Sequence, residues 1–147
     1  MGQRQDESTP NLQGLRVLIA AQDWNVAELL LVILQDAQAE LVLTNSAKAA
    51  LDQLLTEPID LLICNVQLPD MHGHELIQKI RSRPENHINQ IPAIALTLTV
   101  NFYSHAIAER TMIKAGFDRF ISLPAEPEAI VNEILSLTGN AKGQQGT

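Results

Sequence analysis

The side chain with the clearest chemical consequence ends an apolar segment, Asp60-Leu-Leu-Ile-Cys-Asn65. This composition predicts a strand that is buried on both faces and ends in the amide of Asn65. A carboxylate at a strand end can act as a nucleophile or as a ligand for a hard cation, whereas an amide is no nucleophile at neutral pH. Asn65 therefore favours a binding function over covalent chemistry at this position.

Three nearby side chains, Cys64, His72 and His74, could suggest a metal site. Their spacing matches no metal-site pattern, and a zinc site normally needs three or four convergent ligands. Cys64 should be buried within the strand. We therefore interpret them as a core thiol followed by two loop histidines, and predict neither a metal nor a cofactor.

The elements that must position these residues are short apolar segments that alternate with segments of helical period. In residues 24–38 the apolar positions recur at helical spacing and include Leu29 in the predicted core stripe. Strands that alternate with helices indicate an α/β fold, a parallel sheet covered on both faces, with sites at the carboxyl ends of the strands. Predicted strands cover residues 17–20, 41–43, 59–64, 91–96 and 120–122, and predicted helices cover residues 24–38, 46–55, 74–81, 102–115 and 126–137.

Polar segments flank this pattern. Residues 1–13 and 139–147 have no apolar period, and we predict a disordered arm and a disordered tail. Between these two segments we predict a single domain over residues 14–138.

Charge and composition limit the function classes. The chain has 147 residues, a net charge of −7 and a pI near 4.9, and its basic residues are scattered. Nucleic-acid binding needs a positive surface, so it is disfavoured. The longest apolar run, residues 29–34, is too short to cross a bilayer, and one cysteine cannot form an internal disulfide. We expect a cytoplasmic protein without a membrane or nucleic-acid partner.

Five phrases follow one another at compatible spacing over roughly residues 14–138. They are Arg16-Val-Leu-Ile-Ala-Ala-Gln-Asp23, Pro58-Ile-Asp-Leu-Leu-Ile-Cys-Asn65, Leu68-Pro-Asp-Met-His-Gly73, Ile91-Pro-Ala-Ile-Ala-Leu-Thr97, and Ala115-Gly-Phe-Asp118 with Phe120-Ile-Ser-Leu-Pro124. In this order they resemble the receiver domain of two-component response regulators. The resemblance implies a three-layer, doubly wound, flavodoxin-like sheet of five parallel strands in the order 2-1-3-4-5.

The same resemblance implies a degenerate phosphorylation site. Receivers carry an acidic pair after the first strand, an acceptor aspartate, a hydroxyl residue and a lysine, which together bind magnesium and balance phosphoryl charge. In this chain only the hydroxyl residue, Thr97, matches the receiver pattern. Asp23 is a carboxylate, but it corresponds to the residue after the acidic pair. The corresponding residues are Ala21, Gln22, Asp23, Asn65, Thr97 and Leu123.

Thr97 and Phe120 match the hydroxyl and aromatic residues that rearrange when receivers are phosphorylated. They could form a residual switch that a partner biases. The interpretation we favour is a strand-end hydroxyl and a core aromatic, because phenylalanine is usually buried.

Candidate interface residues are apolar positions outside the predicted core. Trp24 could anchor a partner, or it could fold over the vacated acidic pocket onto Leu123 or Pro124. Val32 and Leu31 lie outside and beside the core stripe of the first helix, a common docking surface in receivers. Phe102 and Tyr103 lie in a segment that is longer than in typical receivers.

The sequence thus predicts a pseudo-receiver that is not an enzyme and acts by protein contact in two-component signalling. Its partner would be a sensor or hybrid kinase, or another domain of the same assembly. A homodimer could form through the fourth predicted helix, the fifth strand and the last helix. Two alternatives stay open: an atypical phosphoacceptor that uses Asp70 or Asp23, and a small-molecule sensor with an apolar pocket bordered by Trp24 and Leu123.

Overall fold

The computed structural model describes residues 11–98 and 102–139, with side chains described except at positions 102–104. Within these ranges five strands alternate with helices. The strands are β1 (Arg16–Ala20), β2 (Glu40–Thr44), β3 (Leu61–Asn65), β4 (Ala93–Leu98) and β5 (Arg119–Leu123). The helices are α1 (Trp24–Asp36), α2 (Ala47–Thr56), α3 (Gly73–Arg81), α4 (Asn86–Asn89), α5 (Phe102–Ala115) and α6 (Pro127–Thr138).

All neighbouring strands pair in parallel, in the order β2-β1-β3-β4-β5. The predicted flavodoxin-like, doubly wound α/β fold is confirmed. Its register sets Ala20 beside Cys64 and Asn65 beside Leu96. The last residues of β1, β3 and β4 therefore meet at one edge of the sheet.

Alternation along each strand divides the core into two clusters. In β1, Val17 and Ile19 pack in the cluster that contains the buried faces of α1 and α6, whereas Leu18 and Ala20 pack with α2, α3 and α5. Successive side chains of a strand point to opposite faces, so each central strand contributes to both clusters. This burial on both faces explains why the strands are apolar nearly throughout.

The first helix differs from its sequence-based prediction in two respects. It ends at Asp36, because Gln38 has a positive φ of 73° that helical backbone cannot include. Leu29, placed in the predicted core stripe, is 41% exposed, so that assignment is wrong. The stripe lies on Val26, Leu30 and Ile33 instead, and Leu29 is on its flank.

A short helix, α4, was not predicted. Pro84 does end the preceding helical segment, but the chain then makes a single helical turn after Glu85. Four residues are too few to produce a recognisable period, although Ile88 is buried in the core.

Leu12 packs in the core although it precedes the predicted boundary at residue 14. Leu12 is only 1% exposed and packs in the α1/α6 cluster, and its N–H donates to the carbonyl of Ala37 at 2.7 Å. A single anchoring leucine has no period, which is why the pattern did not reveal it. The other residues of the predicted arm and tail, 1–10 and 140–147, lie outside the described ranges.

Opposite the edge where β1, β3 and β4 end, Arg81 joins several elements. Its guanidinium donates to the carbonyls of Gly116 at 3.0 Å and Ile91 at 2.7 Å, and to the carboxylate of Asp118 at 3.2 Å. That carboxylate also accepts from the N–H of Ala93. The starts of β4 and β5 are thereby held together. In the described part of the chain, no helix has the length and apolar content to cross a membrane.

Candidate functional site

The carboxyl ends of β1, β3 and β4 border an open cleft of about 590 Å³. Amides, one carboxylate and one hydroxyl alternate with aliphatic side chains along its walls. Parallel sheets with helices on both faces characteristically bind ligands at this edge. The described lining residues are Gln22, Asp23, Val26, Asn65, Val66, Gln67, Leu96, Thr97 and Leu98.

Asn65 is half-buried and ends β3 at the centre of this cleft. The sheet continues for one further hydrogen bond, from the N–H of Val66 to the carbonyl of Leu96 at 3.0 Å. Behind the strand, the buried Cys64 thiol donates to the Asn65 carbonyl at 3.2 Å. These hydrogen bonds hold the end of the strand in place. The side chain that β3 presents to the cleft is therefore the amide of Asn65.

Gly73 packs against the same strand end. Its N–H donates to the carbonyl of Val66 at 2.7 Å, and a Cβ at this position would lie 2.7 Å from the carbonyl oxygen of Asn65. Only glycine permits this approach without movement of the backbone. The loop after β3 therefore returns closely to the site.

The β1 side of the cleft has one carboxylate. Asp23 precedes α1 and accepts the N–H of Asn25 at 2.8 Å, so it is the N-cap of that helix. Gln22 is exposed and lines the cleft, whereas Ala21 is buried and does not. Asp23 combines a structural role with its position at the site.

Asp70 lies in the loop between β3 and α3 and caps a different helix. Its two carboxylate oxygens accept the N–H groups of Ala47 at 2.8 Å and Lys48 at 2.9 Å, the first residues of α2. These hydrogen bonds, that of Ala47 first, hold the pKa of the Asp70 carboxyl below its ordinary value of 3.8. Both oxygens are engaged away from the cleft.

At the end of β5, Leu123 is only 2% exposed and belongs to the α1/α6 core cluster. Trp24, at the start of α1, is 62% exposed. Neither residue is among the described residues that line the cleft, and the apolar pocket bordered by this pair stays a prediction. Side chains alternate across β5, which turns Leu123 into the core on the α1/α6 side.

Thr97 and Phe120 lie on the same face of the sheet, toward α5. Thr97 lines the cleft, and Phe120 is half-buried against the α2/α3/α5 core cluster. The ring of His105 packs edge-on against Phe120 at 5.3 Å, and its Nδ1 lies 2.9 Å from Ser122 Oγ. Phe120 is thus partly a core aromatic, as favoured above, but it also contacts a histidine that the sequence did not pair with it.

The predicted interface residues have different outcomes. Trp24 and Val32 are 62% and 63% exposed, and Leu31 is half-buried. The side chains of Phe102 and Tyr103 lie outside the described side chains. An interface role for all five stays a prediction.

The potential metal ligands do not converge in the described residues. Cys64 is buried, which raises the pKa of its thiol to about 12, and the rings of His72 and His74 stack on each other at 5.6 Å. No group of three histidine, cysteine or acidic side chains is placed to hold a metal ion within residues 11–98 and 102–139. In the cleft itself, the described lining offers a hard cation one carboxylate, that of Asp23, beside amide and hydroxyl oxygens.

The response regulator receiver domain model matches residues 17–135. The chain belongs to this family. Receiver domains take part in two-component signalling, so this receiver is a module of that kind of signal transduction.

The chain is also similar to two curated proteins. The chain is 33% identical over 145 residues to sensor histidine kinase GacS of Pseudomonas protegens. The match covers 95% of this chain but only about 15% of the length of GacS. It is 30% identical over 120 residues to an uncharacterized 14.6 kDa protein in the sodA1 3′ region of Leptolyngbya boryana, covering 82% of this chain and 87% of the relative.

A solved structure shares the fold. The signal receiver domain of a signal transduction histidine kinase from Syntrophus aciditrophicus matches with a TM-score of 0.75, covering 88% of this chain and 93% of that one. Its identity of 23% supports likeness of fold alone.

Sequence reasoning found the residues of the receiver's corner but missed several of their contacts. Val66, Gln67 and Leu98 also line the cleft, and they are simply the residues that follow or end β3 and β4. The caps made by Asp70 and the His105–Ser122 hydrogen bond had no signal in local pattern, because each joins separate elements.

Proposed function

We propose that this receiver is not phosphorylated at its corner and acts as a protein-interaction module in two-component signalling. The observation that carries the proposal is Asn65 at the end of β3, in a cleft whose only described carboxylate is Asp23. An amide cannot attack a phosphodonor, and a single capping carboxylate does not supply the ligands that magnesium prefers. Signal transfer then has to depend on binding.

The proposal extends to the two remaining carboxylates near the corner. Both carboxylate oxygens of Asp70 accept N–H groups at the start of α2, and these hydrogen bonds lower its pKa. They stabilise the negative charge and occupy the oxygens that would have to attack a phosphodonor. Asp23 caps α1. Phosphorylation of Asp70 would consume a carboxylate oxygen that now accepts an N–H group at the start of α2, which supports the absence of an acceptor there.

The natural partner class is a signalling protein such as a sensor or hybrid kinase, or another domain of one. This follows from the GacS relative, in which the matching segment occupies about 15% of the length. The receiver unit of residues 11–139 would then transmit a signal by occupancy of a surface.

Intact mass spectrometry after incubation with acetyl phosphate and magnesium tests the proposal. We expect no phosphoryl adduct on the wild-type chain. A variant with Gln22→Asp and Asn65→Asp restores carboxylates at two positions that line the cleft, leaves the buried Ala21 and Leu123 unchanged, and is the positive control for an adduct. A stable wild-type adduct that Asp23→Asn or Asp70→Asn removes would overturn the proposal.

Trp24 provides a second measurement. It directly follows Asp23, which lines the cleft, and it is the only tryptophan of the chain. Its fluorescence should not change on titration with magnesium and then beryllofluoride, which mimics a phosphoryl group. A saturable change abolished by Asp23→Asn would identify a working phosphorylation site.

A further inference from the structure

The sheet has an open edge at β2. Within the described part of the chain, this strand is hydrogen-bonded on one side only, to β1, and the register is continuous over all five residue pairs. Its apolar residues are only partly covered: Leu41 and Val42 are half-buried, and Leu43 is 38% exposed. An open strand edge with apolar side chains is a template for pairing with another strand.

The backbone groups of β2 alternate between its two sides. The N–H of Glu40 donates to a carbonyl just before β1 at 2.9 Å, and the carbonyl of Thr44 accepts an N–H just after β1 at 3.1 Å. These residues therefore direct their backbone groups toward β1, as does every second residue of the strand. Leu41 and Leu43 direct their N–H and carbonyl groups outward, where no described residue bonds to them.

The opposite edge of the sheet, β5, is protected in ways that β2 is not. It begins with Arg119, whose guanidinium lies 3.1 Å from the carboxylate of Glu133, and Pro124 directly follows its last residue. Charged side chains and prolines are common means of blocking edge-to-edge pairing. β2 contains no lysine, arginine or proline, and its single charged residue is Glu40 at the first position. The edge that stays open to a further strand is therefore β2.

We propose that two copies of this chain associate by antiparallel pairing of their β2 edges about a twofold axis at Val42. Leu41 of each copy then lies opposite Leu43 of the other. Because both residues direct their backbone groups outward, each of these two pairs exchanges two N–H···O bonds. The two sheets become continuous. This association goes beyond the proposed function, since β2 contributes no described residue to the cleft at the carboxyl ends of the strands.

The side chains of β2 favour a second copy as the occupant of this edge. Leu41 packs on the α1 face of the sheet, and Leu43 shares that face, so leucines of the two copies lie side by side. Val42 packs on the opposite face and meets its own copy at the axis. Glu40 falls opposite Thr44, so no like charges face each other across the paired strands. The strand is thus complementary to itself in hydrogen bonding, apolar contact and charge.

The net charge of −7 sets the expected dependence on salt. Two copies repel each other at long range, whereas the paired strands contain no ion pair. Added salt screens the repulsion and should therefore strengthen the association. Weakening by salt would indicate an interface held by ion pairs, which β2 does not supply, and would contradict the proposal.

Sedimentation equilibrium over a range of protein concentrations tests the proposal. The wild-type chain should show a monomer–dimer equilibrium, and Leu43→Lys should raise the dissociation constant about tenfold or more, because lysine on an edge opposes strand pairing. The control is Ile113→Lys, at a 42% exposed site on α5, which adds the same charge and should leave the equilibrium unchanged. Equal urea midpoints of the two variants would show that both are folded.

Two outcomes of the sedimentation experiment would overturn the proposal. A wild-type chain that stays monomeric at every concentration would leave the edge to a strand of another protein. A dimer that Ile113→Lys dissociates at least as strongly as Leu43→Lys does would place the interface at α5 instead.

Amide hydrogen exchange provides a readout that depends on the alternation in β2. The amides of Leu41 and Leu43 should exchange rapidly in the monomer and become protected at concentrations where the dimer forms, whereas the Val42 amide, which points toward β1, should be protected throughout. Leu43→Lys should abolish the protection that depends on concentration. Rapid exchange of Leu41 and Leu43 in a dimeric sample would show that β2 is not the interface.

Discussion

Gly73 shows how one residue can determine the backbone around Asn65. A Cβ there would lie 2.7 Å from the carbonyl oxygen of Asn65 and 3.2 Å from that of Val66. Both are backbone atoms that cannot rotate away. We expect Gly73→Ala to lower the free energy of unfolding by about 1–3 kcal/mol, the usual cost of overpacking, measured by equilibrium urea denaturation.

The comparison variant is Gly139→Ala at the end of α6. Its Cβ would meet nothing within 4 Å, and only its positive φ of 68° opposes the substitution. We expect the smaller loss here, about 1 kcal/mol. A loss at Gly73 no larger than at Gly139 would contradict the close-approach argument.

Cys64 makes a second prediction at the scale of one residue. Burial raises the pKa of its thiol from 9.0 to about 12, so above pH 9 the thiol ionises in the unfolded chain but not in the folded one. The unfolded state then binds fewer protons, and stability falls as pH rises, with a slope of about 1.4 kcal/mol per pH unit.

Urea denaturation between pH 9 and pH 11, at steps of about half a unit, follows the approach to this slope, which is reached above about pH 10. The Cys64→Ala variant should be less stable at neutral pH, since it leaves a small cavity, but should lose this contribution to the slope. Parallel pH profiles of the two proteins would count against a buried, neutral thiol.

At the scale of elements, Asp70 joins the loop after β3 to the start of α2. Asp70→Asn removes the negative charge at a helix N-terminus and leaves one oxygen for two N–H donors. We expect a lower urea midpoint at pH 7. Because the pKa of this carboxyl is lowered in the folded state, its stabilisation is present above pH 3.8 and declines as pH falls further.

Asp52→Asn is the control on the same helix. Its carboxylate reaches only the exposed Lys48 ammonium, at 3.4 Å, so its removal should matter less. The difference between the Asp70 variant and wild type should narrow toward pH 3. A difference that persists unchanged would argue against the charged cap.

At the scale of the whole molecule, Leu12 joins the segment before β1 to the core. It is buried in the α1/α6 core cluster, although it precedes every strand and helix. Leu12→Ala should cost about 2–4 kcal/mol in the free energy of unfolding, the usual range for a buried leucine. Leu55→Ala, at a 42% exposed site on α2, should cost well under 1 kcal/mol. Equal midpoints for the two variants would show that the segment before β1 is not part of the core.

The architecture was predictable because it depends on repeated local signals. Five apolar strands separated by helical periods specify a parallel sheet, and the family phrases supply its order. The same local signals did not predict burial correctly at two individual residues, Leu29 and Leu12. Leu29 has an apolar side chain at a near-core spacing, yet its angle on α1 leaves it exposed, and Leu12 has no period at all.

The sequence by itself determined which functional group ends β3, because the amide of Asn65 has no anionic oxygen to attack a phosphodonor in any fold. It also determined which residues share that corner, since parallel strands align their carboxyl ends. Only the tertiary structure decided which partner each group meets. Asp70 reaches α2 across 23 residues of chain, and His105 reaches Ser122 across 17. Such contacts depend on how whole elements pack, and neither local period nor residue spacing carries that information.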